Sequence, residues 1–187
     1  GNFDDEFKWA LLAAVTRAEG LDEALDGVAI HSDNWQALNT LQAKYREQVK
    51  CIYIDPPYNT GGDGFPYKDA YPHASWLAMI QDRLNAAVSF MARKGALFSS
   101  IDHVERHALT EALGRAFGRS NRVEEIIWSQ TIGSKNQSPT YSTNHEYVEV
   151  YARDIVAAKS DERMFREPKP GAADLMELME NLNSTFP

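Results

Sequence analysis

The sequence has a single cysteine, Cys51, no excess of basic charge and no long apolar run. One cysteine excludes an internal disulfide and a multi-cysteine metal site. No apolar stretch approaches the ~20 residues that span a bilayer, and no basic, apolar leader follows the acidic first residues. We therefore expect a cytoplasmic protein that has no membrane partner.

Charge and length narrow the class further. The net charge is −8, from 27 acidic and 19 basic residues, which argues against nucleic-acid binding over the whole surface. It leaves open a local cationic face. The 187 residues, 43% of them hydrophobic, fit one folded domain with an arm. We predict an N-terminal helical arm over 1–26 and the main domain over 27–154. Residues 155–187 are predicted to form a linker and the start of a further region.

Helical and strand patterns alternate along the chain. Apolar spacing and caps predict helices near 5–19, 34–47, 74–93 and 102–117. β-rich runs predict strands at 28–30, 49–54, 96–101, 123–129 and 146–152. Strands separated by helices predict an α/β fold with a parallel sheet and helices on both faces.

Gly95 and Gly118 are predicted to end helices, and the spacing of Asp102 and Glu105 is that of a capping box. Cys51 is predicted to be an inert core residue of a buried strand.

The residues best placed for chemistry follow the most apolar strand. Ligands of such sheets bind outside the carboxyl ends of the strands, where Asp55, Pro56, Pro57 and Tyr58 stand. The prolines stiffen the turn and offer only carbonyl acceptors. A carboxylate, a carbonyl and an aromatic ring match a planar base with an exocyclic amino group, and acceptors arranged for the transition state would free its lone pair. A duplex base would have to be flipped out to reach them. Asp-Pro-Pro on its own could equally be an ordinary turn.

The segment from Ile52 to Gly61 resembles the catalytic motif of amino-directed DNA methyltransferases. It is most similar to the β-group adenine-N6 enzymes, which include the modification subunits of type III restriction systems. The order and spacing of motifs outside this segment also match that family over roughly 28–153. These are His31-Ser32-Asp33-Asn34 upstream, and Phe65, Tyr67, Asp69, Trp76-Leu77, Arg83-Leu84, Gly95-Ala96-Leu97-Phe98, Ile101-Asp102, Glu105, Phe117-Gly118, Asn121, Ile127-Trp128 and His145-Glu146-Tyr147 downstream. The resemblance implies a Rossmann-like methyltransferase sheet, incomplete in this chain.

The resemblance also implies roles for individual residues. Asp55 and the Pro56 carbonyl would accept hydrogen bonds from the target amine, and Tyr58 would stack on the flipped base. Asp33, with Asn34, would hold the adenine of the cofactor S-adenosylmethionine, although Asp33 could instead cap the next helix.

Further implied positions lie in loops near the substrates. Asn59 and Thr60 would belong to a loop that covers the bound substrates. Lys135 and Tyr141, in a polar loop, would lie near the DNA or else be solvated. No metal site is expected, because His103 and His107 lack an obvious third ligand.

The implied activity is transfer of a methyl group from S-adenosylmethionine to adenine N6 in double-stranded DNA, within a restriction-modification system. A homodimer and a restriction subunit are further candidate partners. Three alternatives stay open: cytosine-N4 methylation, a non-catalytic binding fragment, and an RNA or protein-glutamine methyltransferase, whose relatives usually have Asn in place of Asp55. The family's Phe-x-Gly-x-Gly cofactor turn is missing from the sequence, so we expect this chain alone to be inactive and to bind the cofactor weakly.

Overall fold

The computed structural model describes residues 3–61, 71–129, 144–161, 164–165, 171, 175–179 and 181. The chain divides into two compact units, Gly1–Ala37 and Leu38–Pro187. The helices are α1 (Asp5–Ala18), α2 (Asn34–Tyr45), α3 (His73–Phe90), α4 (Arg106–Phe117) and α5 (Ile155–Lys159), and the strands are β1 (Val49–Ile54), β2 (Met91–Ile101), β3 (Arg122–Ser129) and β4 (His145–Ala152). Within these described ranges, no helix is both long and apolar enough to cross a membrane.

The first unit contains α1. Asp4 caps this helix, since its Oδ1 accepts the Phe7 backbone N–H at 2.8 Å. The predicted strand at 28–30 is wrong, because these residues are not in a strand. None of the described strands pairs with residues 28–30, so no ladder hydrogen bonds stabilise a strand there.

The sheet of the second unit is mixed, with the strand order β1-β2-β4-β3. β1 and β2 are parallel, as predicted, and α3 connects them. β4 lies between β2 and β3 and is antiparallel to both, so the predicted α/β fold is confirmed but its sheet is mixed and not parallel as predicted. A parallel pair needs a crossover connection, usually a helix. The sequence between β3 and β4 is a polar stretch without a helical pattern, which suits the antiparallel pairing that is observed.

One face of this sheet, called the packed face here, carries the hydrophobic core. Side chains of alternate strand residues meet α3 and α4 on it. The core consists of Trp76, Ile80, Leu84, Ala87, Met91, Leu97, Ile101, Leu109, Ala112, Leu113, Phe117 and Tyr151. The residues that point to the packed face thus hold α3 and α4 against the sheet.

Among the described helices, α5 contacts the opposite face of the sheet, called the open face, at one end. Ala96 and Ala152 are buried there, where α5 contacts β2 and β4. Elsewhere on this face Tyr53 is 64% exposed and Trp128 is 62% exposed. Cys51 is exposed as well, so its prediction as a core residue is wrong. The reason is that β1 is an edge strand of the described sheet, and only its alternate side chains reach the core.

Two helix-end predictions fail for identifiable reasons. Gly95 does not end α3 but lies inside β2, where a Cβ would come within 2.9 Å of the Val49 carbonyl oxygen. The close approach of the two backbones therefore requires glycine. The capping box is absent because Asp102 accepts the Val104 N–H and Glu105 makes no cap bond. Gly118 ends α4 as predicted, with a φ of 86°.

Candidate active site

Asp55 stands directly after β1, at the carboxyl edge of the sheet, and is exposed. Its Oδ1 accepts a hydrogen bond from Ser100 Oγ at 2.7 Å. The Tyr53 hydroxyl in turn donates to Ser100 Oγ at 3.2 Å. A relay of two hydroxyls on neighbouring parallel strands therefore orients the Asp55 carboxylate toward the open face rather than into the core.

The prolines that follow are held from beneath by α3. The indole N–H of Trp76, which is fully buried, donates to the Pro57 carbonyl oxygen at 2.8 Å. Pro56 is buried. Because Trp76 occupies the Pro57 carbonyl, the acceptors that the turn can present to a ligand are the Asp55 carboxylate and the Pro56 carbonyl.

Tyr58 is half-buried and packs against the hydrophobic core. Its hydroxyl donates to Glu146 Oε2 at 3.2 Å, at the start of β4. Burial raises the pKa of Tyr58, and the negative charges of Asp55 and Glu146 raise this pKa further, against an opposing hydrogen bond from Ser100. The phenol is therefore neutral at physiological pH and acts as a hydrogen-bond donor and a ring surface.

Asn59 follows with a left-handed backbone, at a φ of 62°. Its Nδ2 donates to the Tyr71 carbonyl at 2.9 Å and to Glu105 Oε1 at 2.5 Å, while its Oδ1 accepts the Tyr71 N–H at 2.6 Å. The Asn59 side chain is therefore bound within the protein. Thr60 is exposed beside it.

The remaining predicted site residues belong to the first unit or lie outside the described residues. Asp33 belongs to the first unit, where its Oδ1 accepts the Gln36 N–H at 3.2 Å at the start of α2. This is a helix N-cap bond, and Asn34 is the first residue of that helix. Lys135 and Tyr141 lie outside the described residues, as do Phe65, Tyr67 and Asp69.

Sequence reasoning missed the residues that support this turn. Ser100 and Glu146 have no predicted role in orienting Asp55 and Tyr58, and Trp76 is named only as part of a family motif. Ser100 is the second of two serines just before Ile101, at the end of a predicted strand, so strand-end position was a usable signal. Its contact with Asp55 depends on the β1–β2 register, which pairs Ile54 with Ser99 and which the sequence does not specify.

The described residues contain no group of three or more His, Cys, Asp or Glu side chains that could hold a metal ion. The turn from Asp55 to Tyr58 carries two oxygen acceptors and an aromatic ring. Groups of this kind suit a planar ligand that donates hydrogen bonds.

Known proteins resemble the chain in sequence. A family model described as "DNA methylase" (N6_N4_Mtase) matches residues 49–176. The Mod subunit of the type III restriction-modification enzyme EcoP15I from Escherichia coli is 31% identical, over 84% of this chain and 28% of that protein. The StyLTI Mod subunit from Salmonella typhimurium is 32% identical, over 65% of this chain and 23% of that protein.

The chain thus spans about a quarter of the length of these two relatives. Among solved structures, the M1.HpyAVI–SAM complex aligns with 75% of this chain and 58% of its own, at a TM-score of 0.49 and 13% identity. The family model covers more than half of the 187 residues, including the whole turn from Asp55 to Tyr58. The chain belongs to the N6/N4 DNA methylase family.

Proposed function

We propose that the protein carrying this chain is an S-adenosylmethionine-dependent DNA methyltransferase that modifies adenine N6, as the Mod component of a type III restriction-modification system. The observation that carries this proposal is the exposed Asp55 carboxylate beside the half-buried Tyr58 ring, on a turn that both the sheet and α3 support. The similarity to two Mod subunits favours adenine and a restriction subunit as partner.

The target would be an adenine flipped out of duplex DNA, since the amino group of a paired base cannot reach a pocket. Its ring would stack on Tyr58. Its two N–H groups would donate hydrogen bonds to the Asp55 carboxylate and the Pro56 carbonyl. As the amine becomes tetrahedral its N–H groups become more acidic, so these acceptors bind the transition state more strongly than the ground state. The Asp55 carboxylate would take the proton that the nitrogen loses, or pass it to water.

S-adenosylmethionine supplies an electrophilic methyl group on a sulfonium. The residues of the first unit are chemically suited to hold its adenosine end. Asp33 is exposed and its bond to Gln36 uses Oδ1, so Oδ2 is the atom that would accept an adenine amino group. Asn34 would contribute from the first position of α2.

Asn59 and Thr60 would border the bound base, and Lys135 and Tyr141 would contact the DNA. We further propose a homodimer as the working assembly. The roles of the four residues can be tested by substitution once activity is measured.

The decisive experiment is methylation of adenine-containing duplex DNA with isotopically labelled S-adenosylmethionine, followed by nucleoside mass spectrometry. We expect labelled N6-methyladenine. Asp55→Asn should lower kcat by about 10²–10³-fold, the usual cost of losing one group that stabilises transition-state charge. Tyr58→Ala should weaken DNA binding by about 10–100-fold through lost stacking, and Tyr58→Phe much less.

Asp82→Asn is the matched control, because Asp82 is an exposed carboxylate on the outer side of α3 and should leave the rate unchanged. Labelled N4-methylcytosine in place of N6-methyladenine would move the assignment to cytosine. A protein that binds DNA or the cofactor but transfers no methyl group to either base would be a non-catalytic binding protein, contrary to the proposal.

A further inference from the structure

Glu105 is a buried acidic residue whose side chain makes no helix-cap hydrogen bond. It is 1% exposed and precedes α4, but its side chain makes no bond to the first turn of that helix. A buried carboxylate is costly unless donors satisfy it. The donors here come from elsewhere: Asn59 Nδ2 at 2.5 Å and His73 Nδ1 at 2.7 Å, both to Oε1.

These two donors connect three parts of the site. Asn59 is the residue after Tyr58, and His73 is the first residue of α3. Glu105 therefore ties the end of the catalytic turn to the starts of both helices on the packed face. It also fixes which way the Asn59 amide faces, because only Nδ2 can donate to a carboxylate.

The orientation of the Asn59 amide matters because its other contacts depend on it. With Nδ2 toward Glu105, Oδ1 accepts the Tyr71 N–H and Nδ2 also reaches the Tyr71 carbonyl. This pair of hydrogen bonds to the Tyr71 backbone holds Asn59 in its left-handed conformation, which non-glycine residues adopt at a cost. Tyr58 is thus fixed on one side through Pro57 and Trp76 and on the other through Asn59 and Glu105.

We propose that Glu105 is a positioning residue for the methyl transfer, acting through Asn59 to hold the Tyr58 ring and the Asp55-Pro56 acceptors in their reactive arrangement. The proposal rests on the proposed function for its catalytic consequence, although the structural part does not. Glu105 touches neither substrate in this scheme. Its effect comes from preorganisation, where misplacement by about 1 Å can cost about 10²-fold in rate.

The test uses the complete protein that carries this chain, with Glu105→Ala, Glu105→Gln, Asn59→Asp and the double variant Asn59→Asp/Glu105→Gln. Glu105→Gln keeps an oxygen that can accept both donors, so we expect a rate within about threefold of wild type. Glu105→Ala should lower kcat by about 10–100-fold, with KM for S-adenosylmethionine unchanged.

Asn59→Asp places a second carboxylate against Glu105 and should lower kcat at least as much. In the double variant, the amide introduced at position 105 can donate to the carboxylate introduced at position 59, which restores the bond with reversed polarity. We expect this variant to recover at least about tenfold of the rate lost in Asn59→Asp, as coupled pairs do in double-mutant cycles. Glu111→Gln, at an exposed position of α4, is the control and should behave as wild type.

Amide hydrogen exchange provides a readout that needs no catalysis. Prolines lack amides, so Tyr58, Asn59, Thr60 and Gly61 report on the turn. Glu105→Ala and Asn59→Asp should accelerate exchange there and leave β2 and β4 unchanged.

The outcomes separate the two proposals. Wild-type protein that methylates no DNA contradicts the proposed function, while local exchange still decides whether Glu105 holds the turn. An active wild type whose Glu105→Ala and Asn59→Asp variants keep kcat and turn exchange overturns the positioning role. Acceleration of exchange throughout β2 and β4, or a double variant without recovery, overturns it as well.

Discussion

The two faces of the sheet differ in what their side chains do. On the packed face, Leu97, Ile101 and Tyr151 are almost completely buried under α3 and α4. On the open face, Tyr53 and Trp128 are mostly exposed, and Tyr53 joins the hydroxyl relay that orients Asp55. Burial on one side supplies stability, and access on the other side lets polar side chains meet a ligand. The candidate active site therefore combines an exposed carboxylate, oriented by hydroxyls of the open face, with support from the core on the packed face.

The largest effect on stability is expected at Trp76. Trp76→Ala removes the most voluminous fully buried side chain of the described residues and should lower the free energy of unfolding by about 3–5 kcal/mol. Trp128→Ala, on the open face, should change it by less than about 0.5 kcal/mol. Urea denaturation of the 187-residue chain measures both. Equal losses of unfolding free energy in the two variants would show that the two faces contribute equally to stability.

The second effect concerns a charge on the packed face. Glu149 is fully buried, where Thr110 Oγ1 donates to it at 2.8 Å and Arg122 Nε at 3.2 Å. Burial raises the pKa of Glu149 above its ordinary value of 4.5, against the opposing bonds from Thr110 and Arg122. The folded state therefore holds this proton more tightly than the unfolded state.

Stability should consequently fall as the pH rises from about 4.5 through the raised pKa. Glu149→Gln, which mimics the protonated acid, should lack this fall and gain on wild type as the pH rises. Glu124→Gln, an exposed carboxylate on the open face, is the control and should follow the wild-type curve. Thermal midpoints measured from about pH 4 to about pH 8 report this difference. A Glu149→Gln curve parallel to that of wild type would contradict it.

The smallest effect is expected at Cys51. Because the thiol is exposed on the open face, Cys51→Ser should change stability by less than about 0.5 kcal/mol. The native thiol should react with a maleimide without denaturant. Protection until the chain is unfolded would mean that this face is covered in solution.

Local signals predicted most of the elements in this fold. The Gly118 end of α4 and the apolar run of β1 depend on a few neighbouring residues, and these predictions were confirmed. The predictions for Gly95 and Cys51 were wrong because each depends on what the rest of the chain brings near it. Gly95 is determined by the backbone of β1, and Cys51 by the edge position of that strand.

The same distinction applies to the site. The turn from Asp55 to Tyr58 was predictable because its residues are consecutive and the prolines restrict their own backbone. Its supports were not, since Trp76, Ser100 and Glu105 lie 19, 45 and 46 positions from their partners along the chain. Glu105 also carried a misleading local signal, the spacing of a capping box, while its side chain turned toward Asn59.

The reversed direction of β4 has a consequence for how such sites are found. Where parallel strands end, an antiparallel neighbour begins, so the first residues of β4 arrive at the same rim as the last residues of β1 and β2. This is how Glu146 comes to meet Tyr58 from 88 positions away. A survey of this rim that inspects only the residues following each strand overlooks the strand that begins there. In a mixed sheet, the residues that open a reversed strand belong in the same survey.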